Sequence, residues 1–123
     1  KNKELEHICI VLDDLVTDLP QNQRSLLAKL FMTGRHLNVS IILATQSYKL
    51  IPRTICMNLT CLICLHCNQG EVRKIAEESA ATNFEDLHEC CCSKPHGFIV
   101  EMISSPLHER FRDKFSLEYL EAK

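Results

Sequence analysis

Short apolar runs alternate along this chain with stretches whose apolar positions recur every three or four residues. The first run, Ile8 to Leu12, is too short for an independent helix and too apolar for a half-exposed strand. It therefore predicts a strand covered on both faces, and it closes on Asp13 and Asp14. Leu15 to Asp18 reads as a loop, and Pro20 suits the first turn of a helix, with Asp18 or Leu19 at its start. Leu26, Leu27, Leu30, Phe31 and then Leu37 give that helix one apolar face, with Gln23, Arg24 and Lys29 largely opposite. It should end near Gly34, where Thr33-Gly34-Arg35-His36 turns the chain into a second buried strand, Val39 to Ala44. A strand, a helix of a dozen or so residues and a strand have the spacing of a crossover with parallel strands. Parallel strands put Gln46, in the polar end Thr45-Gln46-Ser47-Tyr48, at the same sheet edge as Asp13 and Asp14.

Beyond Pro52, Asn58 to His66 predicts a third buried strand. Gly70 breaks the chain before a helix over 71–81, whose small-residue face is Val72, Ile75, Ala76, Ser79 and Ala80 and whose first turn holds Glu71. Asn83 with Asp86 resembles a helix cap for a short helix through Phe84, Leu87 and Cys91, stopped by Pro95. Phe98 to Ile103 predicts a fourth strand. Ser105-Pro106 then opens a final helix on Leu107, Phe111, Phe115 and Tyr119, an apolar stripe for the core or a neighbouring subunit. Arg110, Arg112 and Lys114 beside it read as a solvated face, and no internal repeat or low-complexity segment interrupts the pattern.

Composition narrows the class. The length of 123 residues predicts a single domain, residues 1–123, with a real core. The 46% hydrophobic and 24% charged content is ordinary for a globular protein, and no apolar run approaches a membrane span. A formal charge of -2 gives no global attraction to nucleic acid, so DNA contacts would need a local loop or an assembly. Eight cysteines without a signal peptide point to a reducing, intracellular compartment, cytoplasmic or nuclear, and not to secretion. Cys61, Cys64 and Cys67 beside His66, and Cys90 to Cys92 near His88 and His96, invite a zinc reading. A strand would, however, send Cys61 and Cys64 to opposite faces and leave out the turn that zinc ribbons need, so the cysteines read first as small buried hydrophobes. The histidines show no paired metal-binding spacing and read as surface or hydrogen-bonded residues.

Two acids at a strand end can be no more than a turn, because Asp hydrogen-bonds its own backbone there. The added Gln46 points instead to phosphoryl transfer, which uses a metal-binding acid, a group that activates water and a polar group at the terminal phosphate.

Ile8 to Asp14, the stretch Thr33-Gly34-Arg35-His36-Leu37-Asn38-Val39-Ser40-Ile41-Ile42, Ala44-Thr45-Gln46-Ser47-Tyr48, and Ile51-Pro52 leading to Asn58 together resemble the genome-packaging ATPases of the FtsK–HerA superfamily. The nearest group is the poxvirus-type form of large DNA viruses and Maverick/Polinton elements, and the resemblance spans about residues 8–103. It implies an α/β fold, a mostly parallel RecA-like P-loop NTPase sheet with flanking helices. It also implies an ATPase that, as a ring of identical subunits, drives double-stranded DNA into a capsid, with capsid proteins as further partners, virion association, and no membrane. By the resemblance Asp13 is the Walker B acid for Mg²⁺, Asp14 activates the attacking water and Gln46 senses the γ-phosphate of ATP. Asn58 matches a polar residue after the proline loop, and Arg35 and His36 match a pair that packs or lies at a subunit interface. The family arginine, which by the resemblance reaches a phosphate or a neighbouring subunit, is replaced by Cys56, with Arg53 three residues earlier as a weak substitute at the nucleotide. The three glycines form no G-x-x-x-x-G-K-S/T loop. The chain thus reads as the C-terminal portion of an ATPase core, without the Walker A strand, loop and helix; the alternative is a non-catalytic remnant serving as an interaction domain.

Overall fold

The computed structural model describes residues 6–14 and 19–123. The opening segment 1–5 and the loop predicted at 15–18 lie outside the described residues. The chain divides into two compact units, Lys1–Leu59 and Thr60–Lys123.

The first unit contains β1 (Ile8–Asp13), α1 (Gln21–Thr33), a 3₁₀ turn (Gly34–Leu37), β2 (Val39–Ala44), a second 3₁₀ turn (Tyr48–Leu50) and the one-turn α2 (Arg53–Cys56). β1 and β2 pair in parallel from Ile8 opposite Val39 to Asp13 opposite Ala44, as the strand–helix–strand spacing predicts. Asn38, left-handed at φ 59°, turns the chain into β2. Full burial of these strands is not observed. Cys9, Val11 and Asp13 share one face with Ser40, Ile42 and Ala44, and all six are exposed. Among the described residues this sheet has two strands, and the buried apolar side chains of the unit are Leu27 and Ile55.

The second unit contains β3 (Cys61–Leu65), α3 (Gln69–Glu78), α4 (Phe84–Cys92), β4 (Phe98–Met102), a 3₁₀ turn (Leu107–Glu109) and β5 (Phe111–Asp113). Its sheet has the order β3-β4-β5 and is antiparallel throughout. The expected continuation of a mostly parallel sheet therefore fails here: the protein is mixed α/β, with a parallel pair and a separate antiparallel triplet. The reason is topological. One helix between strands returns the chain to run in the same direction, whereas two helices, α3 and α4, bring it back reversed.

The final helix predicted from Pro106 to Tyr119 is also absent. Phe111, Arg112 and Asp113 instead pair with Glu101, Val100 and Ile99, which gives the edge of β4 backbone partners that a helix would have left open. Phe111 is fully buried, while Phe115 and Leu117 are 74% and 89% exposed, so no common helical face exists. Lys114, at φ 55°, turns the chain away after β5. Asn68 caps α3 by accepting the Glu71 N–H at 3.0 Å. Asn83 stands where a cap was predicted, but its side chain binds the tail instead, donating to the Glu121 carbonyl at 3.1 Å and accepting the Lys123 N–H at 2.8 Å.

Candidate functional site

The parallel pairing brings the carboxyl ends of β1 and β2 to one edge. The ladder continues one residue past β1, where the Asp14 N–H donates to the Ala44 carbonyl at 2.9 Å. Asp14 then adopts a left-handed backbone at φ 51°, a conformation that Asp and Asn tolerate better than most residues because a short polar side chain can bond locally. Gln46, two residues past β2, donates through Nε2 to Asp14 Oδ2 at 3.2 Å. Thr45 shapes this turn, with its Oγ1 accepting the Ser47 N–H at 3.3 Å.

Asp13, Asp14, Ala44, Thr45 and Gln46 line an open depression of about 310 Å³. Both acids are solvent-exposed, and among the described residues no ion pair reaches either of them. Two exposed carboxylates with several free lone pairs suit a hard cation that keeps part of its water shell. A phosphate cradle is a different requirement, and no glycine-rich run of backbone N–H groups lies in the sequence.

The other predicted residues stand away from this depression. Arg53 opens α2 and is exposed, and Asn58 donates to the Thr54 carbonyl at 2.7 Å, closing the turn after that helix. Cys56 points its thiol at the Ile51 carbonyl, 3.9 Å away. Arg35 and His36 lie exposed in the 3₁₀ turn after α1.

A family model for the poxvirus A32 protein matches residues 1–90. The chain belongs to the poxvirus A32 protein family. That family is one of packaging ATPases, and the matched stretch runs from the first unit into the last turn of α4, ending before β4. No curated protein and no solved structure matches the chain. In this poxvirus A32 family member, the segment carrying Asp13, Asp14 and Gln46 lies wholly inside the matched region.

The second unit brings together residues that the sequence reading kept apart. β3 stops at Leu65, and the turn at His66 and Cys67 leads into the Asn68 cap, returning Cys67 Sγ to 4.0 Å from Cys64 Sγ. His88 on α4 places Nε2 at 3.9 Å from Cys67 Sγ and 3.1 Å from the Leu65 carbonyl oxygen. Burial pushes the Cys64 thiol strongly up, reinforced by Cys67 and Cys92 nearby. Burial also raises Cys67, against a partial lowering by the hydrogen bond from Cys64. The signal in the sequence was Cys-x-x-Cys followed by His-x-x-x-Cys on a helix.

Proposed function

We propose that this chain carries the metal- and water-facing half of the nucleotide site in an ATP-driven motor of the FtsK–HerA type. The motor packages viral or virus-like DNA into a capsid. The observation that carries the reading is the meeting of Asp13, Asp14 and Gln46 at the ends of two parallel strands, with Gln46 hydrogen-bonded to Asp14. In this reading Asp13 holds Mg²⁺ through its exposed carboxylate, and the bound ion supplies charge neutralisation for the phosphates of ATP. Asp14 takes the proton of the attacking water. Gln46 keeps Asp14 oriented through one N–H, while its remaining N–H and its carbonyl are free to meet the terminal phosphate. Arg53 and Asn58 do not line the depression, and they take a secondary place. The phosphate cradle comes from outside these 123 residues, because they contain no G-x-x-x-x-G-K-S/T loop. The partners are double-stranded DNA, further copies of the chain in a ring around it, and capsid proteins.

The missing loop also favours the second reading, a remnant that keeps the fold but performs no hydrolysis. Phosphate release decides between them. The 123-residue chain alone should release no phosphate above background. The native reading frame that contains it should hydrolyse ATP with Mg²⁺, and Asp14→Asn should lower kcat by about 10²–10⁴-fold while nucleotide binding persists. Turnover unchanged by Asp14→Asn would sink the assignment of the base. No turnover by the full reading frame, with or without DNA, would establish the remnant.

A further inference from the structure

We propose that Cys64, Cys67 and His88 form a binding site for zinc in the second unit, with Cys92, outside that cluster, turning in on binding as the fourth ligand. Three soft or borderline ligand atoms from two separate elements lie within 4.8 Å of one another. Ideal tetrahedral zinc, with bonds of about 2.3 Å to sulfur and 2.0–2.1 Å to nitrogen, separates its ligand atoms by roughly 3.5–3.8 Å. The observed 4.0 Å between the sulfurs and 3.9 Å from Cys67 Sγ to His88 Nε2 need only small side-chain rotations to reach that geometry.

The backbone supports the set on both sides. Cys64 is fixed in β3 by its pairing with Ile99 of β4. Cys67 is held in the turn between β3 and the capped start of α3. His88 and Cys92 lie four apart on α4, hence on one helical face, and both are buried. The Cys92 thiol donates to the Cys64 carbonyl at 3.6 Å, a bond it gives up when the thiolate turns toward the other ligands.

The competing role for His88 is a simple hydrogen bond to Leu65. Its ring settles which role it plays: with the proton on Nε2 it donates to that carbonyl, and with the proton on Nδ1 the same nitrogen offers a lone pair toward the sulfurs. On binding, each ligating cysteine gives its S–H proton to solvent and no electrons are transferred. His66 is exposed and stands outside the ligand set, its ring centroid 6.5 Å from that of His88.

The test uses the full 123-residue chain, purified reduced and without chelator, with metal content measured directly and zinc then replaced by Co²⁺. About one zinc per chain is expected, together with a cobalt spectrum showing thiolate charge transfer and the intense visible bands of tetrahedral coordination. Cys67→Ser and His88→Gln should each weaken zinc binding by more than the roughly 10–100-fold that losing a mere supporting partner costs. Cys92→Ser should alter the cobalt bands, and Cys90→Ser, at an exposed neighbour, should leave them unchanged. Because Cys67 is only half-buried, circular dichroism of Cys67→Ser at the wild-type level shows that lost binding is not lost folding. Metal-free wild-type protein that takes up no zinc under anaerobic conditions would overturn the site, as would a cobalt spectrum without thiolate bands. Cys67→Ser binding as tightly as wild type would overturn it too.

Discussion

Glu101 shows what one side chain costs in the centre of a small sheet. It lies on β4 between Leu62 and Phe111, only 5% exposed. Burial holds its carboxyl above the usual range, while Arg110 at 3.8 Å, the Ser79 hydroxyl at 3.4 Å and the Ala80 backbone N–H pull it partly back. A raised carboxyl binds its proton more tightly in the folded chain than in the unfolded one. Its contribution is therefore fully present below the unfolded carboxylate range and is lost as pH rises through the higher folded value. Glu101→Gln cannot ionise, so wild type should lose stability relative to this variant as pH climbs from the acid range toward neutrality, with a slope of at most about 1.4 kcal/mol per pH unit. Urea midpoints of both proteins across that interval check it, and wild type gaining on the variant with rising pH would refute it. None of this was legible beforehand, since Glu101 interrupts the apolar run Phe98 to Ile103 without any sign of its partners. Gln46 beside Asp14 was legible, because parallel strands carry their ends to one edge by geometry alone.

Between α4 and β4 the chain reverses with almost no room. Gly97 donates its N–H to the Lys94 carbonyl at 2.9 Å, and His96 before it is left-handed at φ 56°. A Cβ on Gly97 would overlap the Cys91 carbonyl oxygen, with Cys91 C and Cys92 Cα the next atoms it meets. All three are helix backbone and cannot rotate aside, so the reversal admits only glycine. Gly97→Ala should cost about 3 kcal/mol or more, at the upper end of overpacking, seen as a lowered urea midpoint and faster labelling of the buried Cys91 and Cys92 thiols. An unchanged midpoint would mean that the turn relaxes freely. At this scale the pattern of apolar positions located α1, α3, α4 and β1 to β4 with small errors at their ends, and Pro95 marked where α4 stops. It failed at β5, because an i, i+4 run of aromatics is equally satisfied by a buried Phe111 in a three-residue strand and by Phe115 packing edge-on against Phe98 at 5.1 Å.

For the whole molecule, direction of travel between strands was the property hardest to read. Periodicity reports which positions are apolar, not how many helices separate two strands in space, so the parallel pair was foreseen and the antiparallel triplet was not. Strand alternation set the zinc reading aside for a different reason: Cys64 and Cys67 meet only because β3 ends between them. It also bears on β1 and β2. Their sequence is apolar on both faces, yet Val11 and Ile42, direct partners across the sheet, are 64% and 55% exposed. An apolar face on a sheet that has two strands among the described residues favours association, because covering each of these side chains gains about 1.5–3 kcal/mol. The chain at micromolar concentration should self-associate in sedimentation velocity and bind a hydrophobic dye. Val11→Lys with Ile42→Lys should shift it toward monomer, since the paired lysines place like charges side by side on the bare face. Wild type that sediments as a monomer and binds no dye would show that this face is tolerated in water as it stands.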